Sequence, residues 1–159
     1  MADSVTEMVE LVLPNDANPF GNMLGGKVMH LIDIAGAIAA HRHSRGQVVT
    51  AAVDNLDFVR PIRVGELVVL RACVTRAFRT SMEVEVKVYR EDNLSGERQQ
   101  TSSAFVTYVA LDSEGKPQDV PPLIVSTKEE KRRFREALGR RRQRLALAAQ
   151  AHRRYFEKT

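Results

Sequence analysis

At 159 residues the chain is long enough to bury one sizeable core, and 43% hydrophobic with 28% charged residues is the balance of a globular domain, not of a disordered polymer. A single cysteine, Cys73, excludes an intrachain disulfide framework and fits a reducing, cytoplasmic setting, with the thiol as a small core residue. The net charge of +4 conceals an asymmetry: residues 126–159 carry 12 Lys/Arg against 4 Asp/Glu, and residues 1–125 carry 12 against 16, so the basicity belongs to the tail alone.

The acidic start MADSVTEMVE lacks the basic and apolar regions of a secretory signal, and a first strand is expected over 7–13. A turn-rich loop follows, PNDANPFGNMLGG, in which Pro19 and the pair Gly25-Gly26 break the chain before a helix that starts near Gly26. The helix runs to a polar, glycine-marked stop between His43 and Gly46. Its apolar residues form no single stripe. Val28, Leu31, Ile32, Ala35 and Ile38 cover one face, and Met29, Gly36, Ala37 and Ala40 the other. A helix apolar all round is buried all round, and this one is too short and too rich in small residues to span a membrane. The expected solution is a central helix wrapped by a sheet, with a second subunit on its far side. Asp33 falls on the small-residue face, where burial of an acid is costly unless the group is paired or used.

Four strands are expected next, over 48–59, 67–78, 81–90 and 99–111. The third is the clearest, with Met82, Val84, Val86 and Val88 facing in and Glu83, Glu85, Lys87 and Arg90 mostly out. Strand, helix and four strands on short links give an α+β fold, an antiparallel sheet curled around one helix. Pro117, Pro121 and Pro122 close the domain near residue 125. The tail, 126–159, is helical by composition from Thr127 onward, with Gly139 as its weak point and a thin stripe of Phe134, Leu138, Leu145 and Ala149.

The loop, the glycine pair and the helix acid together read as an active site. Asp33 places a carboxylate where water is scarce, able to act as a general base or as a nucleophile. Gly25 and Gly26 either only break the chain or also expose backbone amides at the positive end of the helix, polarising a carbonyl. The plainer alternatives are an Asp33 paired with an arginine and an Asn18 that serves as a turn residue, since PNDAN is turn chemistry. His41 and His43 have no companion ligand set, so no metal is expected, and histidines there commonly satisfy carbonyls at a helix end.

The segment PNDANPFGNMLGGKVMHLIDIAGAIAAHRH resembles the signature of acyl-CoA thioesterases with the hot-dog fold. The similarity is greatest to the single-domain YciA-like bacterial hydrolases and to the paired domains of vertebrate cytosolic acyl-CoA hydrolases. VDNLDFVRPIRVGELV, RTSMEVEVKV and the closing VPPL agree, so the match covers roughly 7–125. The resemblance implies a hot-dog fold and hydrolysis of acyl-CoA to a free acid and coenzyme A, without a separate cofactor. It also implies a homodimer as the minimal active unit, within a hexamer built as a trimer of dimers. In that family each site joins a loop Asn and a helix Asp from opposite subunits; the matching positions here are Asn18 and Asp33. Asn18 would orient water or hydrogen-bond the thioester. The small face of Gly36, Ala37 and Ala40 would admit a partner helix. Arg79, Thr80 and Ser81 match a segment near the nucleotide in relatives. Arg60, at the end of the strand after the helix, is a further phosphate contact, and solvated surface is the alternative for all four. No glycine-rich phosphate loop is present.

Other readings remain at this level: a hot-dog hydrolase of hydroxyacyl or aromatic acyl-CoA, a catalytically silent ligand-binding domain, or nucleic-acid binding through KRRFREALGRRRQR. The last has few aromatics for base stacking, and a nucleic-acid partner is not expected.

Overall fold

The structure, a computed structural model, describes residues 4–156. The chain divides between Leu123 and Ile124 into two compact units. The first contains β1 (Thr6–Leu11), a 3₁₀ turn at Pro14–Asp16, the helix α1 (Gly25–Ser44), and the strands β2 (Gln47–Phe58), β3 (Leu67–Ala77), β4 (Ser81–Glu91) and β5 (Arg98–Leu111). The five strands make one sheet in the order β1-β3-β4-β5-β2, antiparallel at every junction. This is the α+β hot-dog arrangement, and every element falls within two residues of its expected bounds.

Period-two alternation builds the core. Val84, Val86 and Val88 of β4 and Ala104, Val106 and Tyr108 of β5 are fully buried against α1, which contributes Val28, Leu31, Ile32, Ala35, Ala39 and Ala40. Each valine, leucine or isoleucine among them contributes about 1.5–3 kcal/mol by leaving water.

Two expectations need correction. First, the side of α1 left open within one protomer, where a second subunit is expected, is a strip of Gly26, Met29, His30 and Asp33 at helical spacing, not the small-residue face. Gly36 and Ala40 are instead buried against the protomer's own sheet. A Cβ on Gly36 would collide with the Tyr108 hydroxyl and lie 3.0 Å from its Cε2 and Cζ. Close packing of helix on sheet therefore consumes Gly36 and Ala40, two of the three small residues that were expected to admit a partner helix. Second, Glu83 lies on the outer face of β4 yet is only 1% exposed, and its carboxylate accepts from Thr75 Oγ1 at 2.6 Å. Alternation identifies the face of a side chain, not whether that face is covered.

β2 is an edge strand with two breaks in its pairing with β5, between Thr50 and Ala52 and between Asp54 and Asp57. The second contains Asn55 at φ 53°. Each adds one residue and changes which side chains face α1. Thr50, Val53 and Leu56, spaced by three, consequently line one cavity.

The second unit contains α2 (Lys128–Phe156). Thr127 and Glu130 form a reciprocal capping box: Glu130 N donates to Thr127 Oγ1 at 3.1 Å, and Thr127 N donates to Glu130 Oε2 at 3.2 Å. The guanidiniums of Arg132 and Arg133 hold the Glu129 carboxyl down at about 2. The helix passes through Gly139 without interruption. No described helix is long and apolar enough to cross a membrane.

Candidate active site

The start of α1 is bare. Its N-cap is Leu24, with no side-chain cap and no acid in the first turn. Leu24 O accepts from Lys27 N at 3.0 Å and Val28 N at 3.1 Å, whereas the amides of Gly25 and Gly26 precede any intrahelical acceptor. A Cβ on Gly26 would meet nothing within 4 Å, and one on Gly25 would only touch the Phe58 ring at 3.5 Å. Neither glycine is needed by the protomer's own packing, yet a helical glycine costs about 1 kcal/mol relative to alanine. The omitted side chains leave room for a group from outside the protomer.

Asp33 lies two turns along the same strip, exposed within one protomer and apart from the face of Gly36 and Ala40. Thr50 Oγ1 donates to its Oδ1 at 2.5 Å. Tyr108 Oη donates to the Asp33 backbone oxygen at 2.8 Å and approaches Oδ1 at 3.3 Å. Thr50 and Tyr108 are direct partners in the β2–β5 register, so one rung of the sheet delivers both donors to one acid. Burial, and then the neighbouring Asp33 carboxylate, push the Tyr108 phenol above the ordinary tyrosine value, so it stays a donor. None of the described ion pairs includes Asp33, and the arginine-paired alternative does not hold. The carboxylate borders a cavity of about 280 Å³ with Gly26 on its rim and Met29, Val53, Leu56 and Val106 in its walls.

Asn18 sits in the loop before α1, where Asn18 N donates to Asn22 O at 2.8 Å and Gly21 takes φ 76°. Its Oδ1 accepts from Phe20 N at 3.0 Å and Asn22 N at 3.1 Å. The turn role is real, and it fixes which end of the amide is spent: the oxygen holds the loop, and Nδ2 has no partner among the described residues. Asn18 lines a different cavity, of about 370 Å³, together with Gly25, Val28, Phe58, Arg60 and Ile62. Within one protomer Asn18 and Asp33 are not brought together; they border separate cavities that both reach the start of α1.

The four expected phosphate contacts are also divided. Arg60 borders the Asn18 cavity, and its guanidinium donates to Gln100 O at 3.2 Å. Arg79 and Thr80 lie in the β3–β4 turn, and Ser81 begins β4. Ser81 pairs with Val109, whereas Ser102, beside Arg60, pairs with Val88. Seven positions along a strand place the two groups about 23 Å apart at ~3.3 Å per residue. Arg79 makes a 3.6 Å ion pair with Asp119 in which both side chains are at least 80% exposed, an arrangement that contributes little. Ser81 is buried. His41 and His43 each engage a carbonyl, of Gly46 at 2.6 Å and of Pro121 at 2.8 Å.

Thr50 and Tyr108 are the site residues that the sequence reading missed. A lone hydroxyl in the apolar run VVTAAV, and a phenol in the inward register of Ala104, Val106 and Ala110, were their only marks.

The Thioesterase superfamily model matches residues 20–97. The chain is 44% identical over 119 residues to the uncharacterized acyl-CoA thioester hydrolase YkhA of Bacillus subtilis, covering 75% of this chain and 69% of that protein. It is 41% identical to the cytosolic acyl coenzyme A thioester hydrolase of Mus musculus over 86% of its own length, spanning only 36% of that longer relative. Among solved structures, an acyl-CoA hydrolase from Staphylococcus aureus in complex with butyryl coenzyme A and coenzyme A superposes with a TM-score of 0.90. That match is at 35% identity and covers 96% of this chain and 93% of that one. An apo-hexameric acyl-CoA thioesterase gives a TM-score of 0.89 at 42% identity, covering 93% and 95%.

Proposed function

The chain belongs to the thioesterase superfamily, among its hot-dog acyl-CoA thioester hydrolases, and from that premise we propose a site shared between two copies, with Asp33 of one and Asn18 of the other at each centre. The observation that carries this reading is the Asp33 carboxylate, held by Thr50 and exposed on the same helical strip as the bare amides of Gly25 and Gly26. The thioester carbonyl oxygen lies at those amides, where the helix end stabilises developing negative charge. Asp33 takes the proton of an attacking water, or itself attacks the carbonyl carbon to give an anhydride that water then opens. The carbon–sulfur bond breaks, and coenzyme A leaves as a thiolate that gains a proton, giving acid and thiol. Asn18 contributes its free Nδ2, as a donor to the carbonyl oxygen or the water.

Three observations favour a second copy. β2 leaves a long edge unpaired, with Val49 and Val53 each 46% exposed and Phe58 51% exposed. The two polar residues border different cavities in one protomer. The exposure of Asp33 is removed only by something laid over the strip. Mutants of the Staphylococcus aureus hydrolase that replace an Asn, an Asp and a Thr alter those types in the same order and at the same separations as Asn18, Asp33 and Thr50. Hexameric neighbours support a larger assembly, a trimer of such dimers. In it Arg60 and the Arg79–Ser81 turn reach the phosphates of coenzyme A from different protomers, since one protomer separates them too widely to share a ligand.

The test is thiol release from acyl-CoA esters, short to long, hydroxylated and aromatic, by wild type and Asp33→Asn in parallel. Wild type is expected to turn over part of the panel, and the variant to lose about 10²-fold or more. Equal rates for the two would remove Asp33 from the chemistry. No thiol from any ester would remove the hydrolase reading of this chain.

A further inference from the structure

We propose that Tyr108 is a positioning residue for Asp33 and that Gly36 exists to admit it. The inference rests on Asp33 as the reacting group but concerns residues one layer behind it. Tyr108 is fully buried, and its hydroxyl meets two oxygens of one residue: the backbone carbonyl at 2.8 Å and Oδ1 at 3.3 Å. A donor that bridges main chain and side chain of the same residue restricts χ1 and χ2 of that side chain. Thr50 Oγ1 reaches the same Oδ1 from the neighbouring strand. Both donors converge on Oδ1, and Oδ2 accepts no hydrogen bond among the described residues, so one oxygen is tethered and the other is left for a proton.

Gly36 completes the device. One turn beyond Asp33, it is the position where any Cβ would strike Tyr108 Oη and crowd Cε2 and Cζ at 3.0 Å. Its φ is not in the left-handed region, so conformation does not require glycine. A glycine in mid-helix costs about 1 kcal/mol, and the three atoms nearest a Cβ here all belong to Tyr108. A phenol in this place must keep its proton to remain a donor, and burial ensures that it does.

The test is steady-state hydrolysis by Tyr108→Phe, Gly36→Ala and the double variant, each also built on Asp33→Asn, with thermal unfolding of every protein. Tyr108→Phe is expected to lower kcat about tenfold with KM within twofold, the usual scale for a hydrogen bond to a charged group. Gly36→Ala, which displaces the phenol, is expected to lower kcat at least as much. The double variant should match Tyr108→Phe within about twofold, because removing the hydroxyl removes the hard collision and leaves ring atoms at 3.0 Å, which a shift of a few tenths of an ångström relieves. On the Asp33→Asn background neither change should reduce the residual rate further. Unchanged kcat in folded Tyr108→Phe overturns the inference, as does additive loss in the double variant or an equal loss without Asp33. If Tyr108→Phe does not fold, Gly36→Ala with and without Asp33 decides by the same comparison. Asp33→Asn turning over like wild type would instead sink the catalytic reading itself, a separate failure.

Discussion

Three hydroxyl and carboxyl groups that are distant in sequence, Asp33, Thr50 and Tyr108, meet because each alone is unsuited to its place. Asp33 is the one acid of α1, and Thr50 is a lone hydroxyl in the apolar run VVTAAV. Tyr108 buries a hydroxyl that would cost about 1–3 kcal/mol without a partner. Their mutual hydrogen bonds resolve all three problems. The folded protein raises the Tyr108 phenol above its unfolded value of 10.0. Above that pH the unfolded chain loses a proton that the folded chain keeps, so this contribution to stability is complete below about pH 10 and is lost as pH rises through the folded value. Wild type should therefore be more stable than Tyr108→Phe at pH 7, and the gap should close progressively above pH 10. Denaturant unfolding of both proteins from pH 7 to 11 measures it, and a gap that stays constant or widens contradicts the assignment.

At the scale of elements, the site is the meeting of one helix end and one irregular strand. α1 begins without a cap and without side chains on its first two residues, the reverse of what stability alone selects. Gly26→Ala isolates that choice. The new Cβ meets nothing within 4 Å in the protomer, so helix propensity should leave the fold equally or more stable, by up to about 1 kcal/mol. Turnover should fall at least tenfold, because the methyl occupies the space assigned to the thioester oxygen. A rise in melting temperature with full activity would show that the bare helix end has no chemical role. β2 makes the complementary contribution. Its two bulges turn Thr50, Val53 and Leu56 toward one cavity, an outcome that strict alternation assigns to different faces.

At the scale of the whole molecule, a single protomer keeps apart the residues of the proposed site. Asn18 and Asp33 border separate cavities, and Arg60 and Arg79 stand at opposite ends of the sheet. Complementation follows from this arrangement. Asn18→Ala and Asp33→Ala, each nearly inactive alone, should regain activity when unfolded together and refolded as a mixture. A mixed pair would contain one site with both residues intact and one with neither. No recovery, with mixed assemblies demonstrated by mass, would place both residues of each site in one protomer.

The sequence by itself determined the elements, their order and the class of chemistry. Alternation in SMEVEVKVYR and the glycine pair before a long apolar helix are local signals, fixed by side-chain geometry and backbone sterics within a few residues. Asp33 stood out for the same reason, as a charge in an apolar run. Only the tertiary structure decided what each local signal faces. It turned Gly36 from an opening for a partner into a seat for Tyr108, set Asp33 on the strip that one protomer leaves open, covered Glu83, and paired Thr50 with Tyr108 across β2 and β5. Those outcomes depend on register and on contacts between residues tens of positions apart. A one-residue bulge reverses the facing of every side chain beyond it, and no periodicity within a strand announces where such a bulge will fall.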